Sequence, residues 1–141
     1  EKYMESLDAV RDMSIYDFDG EYKFLSTSTP IYGACRVSYG GIQYTYKPVN
    51  GPKGPTLKYS DIYVTSQGEA ERFSKNLLRY FNKSENTGFC TKRLDTGFAA
   101  GNNINIKGLG LADGKYFCST VIHKLVQEKT FLKLRRPLEG Y

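Results

Sequence analysis

The chain has 141 residues and a mass of 16.0 kDa, the common size of a single domain with one core. A hydrophobic fraction of 40% and a charged fraction of 25% exclude a wholly disordered chain. The net charge of +5 comes from Lys and Arg residues interleaved with acids, a pattern that disfavours sequence-specific nucleic-acid binding. No apolar run approaches the roughly 18 residues of a membrane span.

The aromatic and cysteine residues narrow the structural class. Twelve Tyr, eight Phe and no Trp favour half-buried strands and contact surfaces. Cys35, Cys90 and Cys118 are widely spaced and form no CxxC pair, so they predict reduced, mostly buried thiols. Because the chain starts at Glu1 and shows no signal-peptide pattern, we expect a piece of a longer polypeptide that matures in a reducing compartment.

Residues 1–33 form a predicted lead-in segment that can belong to an adjacent domain, and residues 34–141 form the main predicted domain. Four apolar residues of the lead-in have roughly helical spacing: Tyr3, Met4, Leu7 and Val10. A turn signal follows at residues 16–20.

The hydrophobic period changes to two at Ala34. Residues 34–39 and 42–46 read as strands joined by Gly40-Gly41, which predicts a hairpin because both turn positions need positive φ. The Pro- and Gly-rich residues 48–55 predict an exposed loop, and residues 62–64 a short strand.

Ser66 and Glu69 form a capping box that predicts a helix over residues 67–82. Its apolar face contains Ala70, Phe73, Leu77, Leu78 and Phe81. We expect Phe73, Leu77 and Phe81 to pack on the sheet.

Four further strands are predicted, at residues 88–94, 103–107, 115–124 and 129–136. The order of elements indicates a mainly β (α+β) fold: an antiparallel β-barrel or two-sheet sandwich with one packed helix. Residues 133–136, Lys-Leu-Arg-Arg, predict an outer strand whose cations protect a sheet edge, with nucleic-acid contact as the alternative.

Two acidic and glycine-rich stretches resemble ligand loops only superficially. Residues 17–21 resemble a calcium loop, but Tyr22 stands at its sixth position and Ser28 at its twelfth, where glycine and a bidentate glutamate are needed. Residues 108–114 resemble a dinucleotide fingerprint, but a strand follows them instead of a helix. Both predict turns, so no metal or cofactor is expected.

His123 is the only histidine and therefore the only candidate base of a catalytic triad. Cys118, five positions earlier, points to the opposite face of a regular strand, which argues against a Cys-His pair. We expect a half-buried strand histidine, no catalytic residue and no enzyme activity. The basic charge and Tyr content leave open a small basic β-barrel that binds single-stranded nucleic acid.

Several motifs in this order resemble a known family. They are Thr-Ser-x-x-Glu-Ala at residues 65–70, Gly-Leu-Gly-Leu-Ala-Asp-Gly-Lys-Tyr-Phe at 108–117, His123, and Leu-Lys-Leu-Arg-Arg-Pro-Leu-Glu-Gly-Tyr at 132–141. With the segment at 24–32, they are similar to the hub protein of phage tails, the late control protein D family, including forms from prophages and tailocins. The resemblance covers roughly residues 17–141.

The resemblance implies a baseplate hub in the virion, assembled in the cytoplasm of a bacterial host, with a tube-type β-barrel at residues 34–141. Its partners would be further copies of itself in a trimeric ring, the tail tube protein and the central spike, with non-specific contact to DNA in the lumen and no membrane. No catalytic residues are implied. The motif residues are structural: Gly108, Gly110, Asp113, Gly114, Lys115, Tyr116 and His123.

Overall fold

The structure, a computed structural model, describes residues 2–26 and 31–138. It is mainly β, which confirms the predicted fold class. The helices are α1 (Lys2–Ser6) and α2 (Gln67–Asn82). The strands are β1 (Ala9–Ser14), β2 (Phe18–Ser26), β3 (Ala34–Tyr39), β4 (Ile42–Tyr46), β5 (Thr56–Tyr59), β6 (Asn86–Arg93), β7 (Asn103–Lys107), β8 (Gly114–Lys124) and β9 (Lys129–Arg135). Within the described residues, no helix is long and apolar enough to cross a membrane.

The chain divides into two compact units. The larger comprises residues 2–26 and 84–137 and contains a six-stranded sheet in the order β1-β7-β8-β9-β6-β2. β1 pairs with β7 in parallel, and the other four pairings are antiparallel. β1 and β2, the two edge strands of this sheet, therefore both come from the predicted lead-in at residues 1–33. The domain division at residue 33 stays a prediction.

One face of the six-stranded sheet forms the core of the larger unit. Its buried side chains are Met13, Cys90, Phe98, Ile104, Ile106, Tyr116, Cys118, Leu132 and Leu134. Both cysteines of this core are free thiols, as is Cys35 of the smaller unit. Each of the three is fully buried, as the sequence predicts.

The smaller unit, residues 31–83 and 138 of the described chain, contains a three-stranded sheet in the order β4-β3-β5 and the helix α2. The predicted hairpin is confirmed at its predicted bounds. The expectation of positive φ at both turn positions is wrong, because only Gly40 has one, at 57°, as in a turn that needs glycine only at its first central position. Cys35 and Val37 point from the sheet into a core shared with Ala70 and Leu78 of the helix.

The predicted bounds of α2 are confirmed. The Ser66 hydroxyl accepts a hydrogen bond from the Glu69 amide at 3.2 Å, and the Glu69 carboxylate accepts from the Thr65 amide and hydroxyl at 2.8 and 2.7 Å. The backbone hydrogen bond from Thr65, followed by that from its hydroxyl, lowers the pKa of Glu69.

The buried line of α2 runs through Ala70, Ser74, Leu78 and Asn82. Phe73 and Leu77 are partly buried against the same core, whereas Phe81 is 42% exposed and its ring lies beside those of Tyr32, Tyr59 and Tyr80. The buried line ends at Asn82, whose side-chain amide accepts from the Tyr32 N–H at 3.0 Å and donates to the Tyr32 C=O at 2.7 Å. A polar residue thus occupies the end of the buried face.

Two local predictions are wrong. Residues 62–64 form no strand, because Thr56–Tyr59 takes the place beside β3 and the chain then leaves the sheet. Residues 133–136 are not an outer strand: β9 lies between β8 and β6, and Arg135 is buried in an ion pair with Glu5. Residues 27–30 of the segment 24–32 and residues 139–141 of the closing segment lie outside the described residues.

Candidate functional site

The turn between β7 and β8 contains most of the predicted motif. Gly108, Gly110 and Gly114 have φ values of 92°, 71° and 142°, which L side chains rarely adopt. The Asp113 carboxylate accepts a hydrogen bond from the Leu109 amide at 2.6 Å and closes the turn on itself. The glycines and the aspartate are therefore required by the backbone path.

Arg136, just beyond β9, fastens this turn. Its guanidinium donates to the carbonyls of Asp113 at 2.7 Å and Leu111 at 3.3 Å and lies 5.4 Å over the Tyr116 ring. The Tyr116 hydroxyl donates to the Ala112 carbonyl at 2.6 Å. Arg136, from the motif at 132–141, thus joins that motif to the one at 108–117, although the two are separate in sequence.

Lys115 connects the same strand to α1. Its ammonium donates to the Glu5 carbonyl at 2.8 Å, and the Asn103 side chain donates to the carbonyls of Met4 and Leu7 at 2.7 and 2.8 Å. These bonds satisfy carbonyls at the end of a short helix. Lys115 therefore has a structural partner.

His123 lies at the far end of β8, away from the turn. Its Nε2 is 3.1 Å from the Phe98 carbonyl, which can only accept, so Nε2 carries the proton. Its Nδ1 lies 3.0 Å from the Thr130 hydroxyl, and that hydroxyl accepts from the Asp95 amide at 2.9 Å and donates to the Asp95 carbonyl at 3.4 Å. The histidine is half-buried, as predicted, and both ring nitrogens are used to hold residues 95–98.

Ion pairs also hold the loop at residues 95–98. Arg11 and Lys92 both pair with the Asp95 carboxylate and lie 4.9 and 4.6 Å over the Phe98 ring. Partial burial raises the pKa of Asp95, but the Gly97 amide and then Lys92 and Arg11 outweigh it and hold that pKa below its usual range.

The predicted opposition of Cys118 and His123 is wrong. The register between β8 and β9 shifts between Cys118 and Thr120, so Cys118 faces Leu134 and His123 faces Thr130, on the same inner side. Leu134 and Thr130 are four residues apart, about 13 Å along a strand, so the two side chains still do not form a nucleophile pair.

Thr130→Val should lower the free energy of unfolding by about 1–3 kcal/mol. The isosteric change leaves the Asp95 amide and the His123 Nδ1 without the hydroxyl that each now bonds. Urea unfolding measures the loss, and Thr130→Ser, which keeps the hydroxyl, serves as the control. Equal stability of the valine and serine variants would contradict the structural role assigned to His123.

An open groove of about 420 Å³ lies beside the glycine-rich turn. It is lined by Phe24, Leu25, Ser26, Asn86, Leu111, Ala112, Tyr116 and Arg136. The Leu111 side chain is fully exposed at its rim. The groove offers contact surface, and its one guanidinium is already engaged by the turn.

The described residues contain few groups that are placed to act as an acid–base pair or as metal ligands. Among residues 2–26 and 31–138, no three His, Cys, Asp or Glu side chains are close enough to hold a metal ion. The Asp17 carboxylate, first in the superficial calcium loop, accepts from the Ser14 amide at 2.8 Å and caps a short 3-10 turn.

Sequence reasoning gave Glu5 and Thr130 no role and placed Arg136 at a sheet edge, whereas all three hold the motif in the structure. Each acts through a partner more than five positions away in sequence, at distances of 2.5, 3.0 and 2.7 Å respectively. No local pattern marks such pairs, because they exist only once the strands are in register.

The fold is a six-stranded sheet into whose sequence a second unit is inserted: β3, β4, β5 and α2 lie in the chain between β2 and β6. This defines a β-rich module, and solved structures share its fold. No protein-family model and no curated protein matches this chain. The 43 kDa tail protein of prophage MuSo2 from Shewanella oneidensis matches with a TM-score of 0.70 and 12% identity, over 92% of this chain and 42% of that one.

Two further structures agree. The tail protein from Neisseria meningitidis MC58 matches with a TM-score of 0.66 and 9% identity, over 92% of this chain and 45% of that one. A chain of the virion of a native gene transfer agent particle matches with a TM-score of 0.61 and 13% identity, over 94% and 32%. This chain spans less than half the length of each, and at such identities the likeness shows the fold.

Proposed function

We propose that this chain is a structural component of a phage or phage-like tail, and that it acts as a baseplate hub module between the tail tube and the central spike. The observation that carries the proposal is the shared fold, over nine-tenths of the chain, with two tail proteins and a virion protein. The order of the motifs at residues 65–70, 108–117 and 132–141 favours the hub over other tail parts.

The motif residues support a structural role. Gly108, Gly110, Gly114 and Asp113 shape a turn, Lys115 and Tyr116 donate to backbone carbonyls, and His123 holds a loop. Such residues keep a rigid scaffold in place. The proposal accordingly assigns no catalytic step to the chain and places it in the virion.

The two edges of the six-stranded sheet are suited to ring formation. β1 and β2 each pair on one side only within the described residues, which leaves backbone donors and acceptors on the other. β2 is nine residues long and exposes Tyr22 and Leu25, which are 44% and 53% accessible. We propose that copies of the chain, in the full protein a trimer, pair along these edges.

Light scattering at high concentration tests ring formation, on the chain alone and on the full-length polypeptide expressed from its gene. A trimer, or a hexamer of this module, supports the hub, as does co-assembly with tail tube and spike proteins. A strict monomer in both samples that joins neither partner would overturn it.

Leu25→Lys should shift the oligomer toward monomer. The substitution places a charge on the exposed edge strand, where it opposes pairing between copies. Sedimentation velocity measures the shift, and Val49→Lys, at a 98% exposed loop position of the other unit, is the matched control. Equal effects of the two substitutions would remove β2 from the proposed interface.

A further inference from the structure

The outer face of the six-stranded sheet, opposite the core, has an unusual arrangement of charge. Strand alternation places the following side chains on it: Lys23, Phe89, Arg93, Ile122, Lys124, Lys129, Phe131 and Lys133. We call these residues the basic face. All lie within the larger unit, on β2, β6, β8 and β9 or at their ends.

Three cations of the basic face stand in one row. Lys129 of β9 is directly opposite Arg93 on one side and Lys124 on the other. Directly opposite side chains have Cβ atoms about 5 Å apart, and like charges there destabilise a sheet.

A second cationic row lies about 13 Å away, four residues along the strands. It contains Lys133 and Lys23, which stand on either side of Phe89. None of the five cations forms an ion pair with an acid within the described residues. Lys23, Arg93, Lys124 and Lys133 are exposed, and Lys129 is partly so.

Apolar side chains fill the space between the two rows. Phe131 stands opposite Ile122, which is 45% exposed, and its ring centroid is 5.8 Å from that of Phe89. Phe131 thus lies between the two rows and Phe89 within the second row. Exposed aromatic rings beside rows of cations are the combination that binds single-stranded nucleic acid, because the cations contact phosphates and the rings stack with bases. Stacking on these rings requires bases that are not already stacked in a duplex, which favours a single strand.

We propose that the basic face binds single-stranded nucleic acid without sequence specificity. Phosphates lie along the Arg93–Lys129–Lys124 row and the Lys23–Lys133 row, and bases stack on Phe131 and Phe89. The like-charge row is then stabilised by the anion that it binds. This inference does not rest on the proposed function, because the isolated chain can bind nucleic acid whether or not it assembles into a tail.

Fluorescence anisotropy with a labelled oligothymidylate of about 12 nucleotides tests the proposal. If all five cations contact phosphates, the logarithm of the binding constant should fall against the logarithm of salt concentration with a slope of about −3.5. The double variant Lys129→Gln/Lys133→Gln should make that slope shallower by about 1.4. Phe131→Leu should weaken binding at least about fivefold, and Phe131→Tyr should retain it.

The control is Lys53→Gln/Lys58→Gln, which removes the same charge from exposed positions of the smaller unit. Its slope should equal that of the wild type. Equal losses in both double variants, no binding at low salt, or equal affinity for a duplex of the same length would each overturn the proposal. If the wild-type chain forms oligomers but binds no oligonucleotide, the nucleic-acid proposal is wrong and the hub proposal is unaffected.

Discussion

Glu5→Ala should lower the free energy of unfolding by about 3–5 kcal/mol, because it removes one carboxylate from a buried ion pair. Arg135 Nη2 is 2.5 Å from Glu5 Oε1, and the two side chains are only 7% and 4% exposed. The guanidinium also lies 4.5 Å over the Phe117 ring, which gives it a second favourable contact. Urea unfolding of the purified chain measures the loss.

The exposed pair Glu71–Lys75 provides the matched control. Its ions are 2.7 Å apart, but both side chains are more than 40% exposed to screening solvent, so Glu71→Ala should cost much less stability than Glu5→Ala. The double variant Glu5→Leu/Arg135→Met should regain most of the stability, since an apolar pair needs no charge compensation. A Glu5→Ala loss no larger than that of Glu71→Ala would show that the buried pair does not anchor α1.

Local sequence signals predicted the elements whose determinants are local. The capping residues Ser66 and Glu69 and the turn at Gly40-Gly41 lie within a few positions of the structure that they specify, and both predictions are confirmed. The strands at 103–107 and 129–135 were also predictable, because one of their faces alternates into a core.

Strands that depend on distant partners were not predictable in the same way. β1 has one buried residue, Met13, and pairs in parallel with β7, more than ninety positions later in the chain. Its sequence therefore shows no clear period of two, and only tertiary pairing makes it a strand.

The bulge in β8 shows why the predicted side-chain directions of Cys118 and His123 were also wrong. One extra residue near Ser119 turns the rest of the strand over, and nothing in Ser119-Thr120 marks it. The same dependence on register hid the basic face, because Arg93, Lys124 and Lys129 are neighbours only across strands. Scattered cations in a sequence can therefore form one row in a sheet.

Raising the pH above about 9 should destabilise the fold steeply, because its three buried thiols ionise only after unfolding. Burial raises the pKa of Cys90 to about 12, with a smaller contribution from Cys118, and burial alone raises those of Cys118 to about 12 and Cys35 to about 11. The unfolded thiols, with pKa values near 9.0, release protons that the folded thiols retain. Unfolding then releases protons, so stability is full below pH 9 and falls by about 1.4 kcal/mol per pH unit for each thiol up to the folded pKa.

Urea unfolding at intervals between about pH 8.5 and 10.5 measures this slope. Cys118→Ala and Cys90→Ala should each reduce it by about one thiol's share, whatever each costs at neutral pH through the small cavity that it creates. Ser119→Ala, an exposed neighbour on the same strand, should leave it unchanged. If the slope did not differ between the wild type and the cysteine variants, ionisation of these thiols could not cause the loss, because the removed group would have been carrying none of the linked protons.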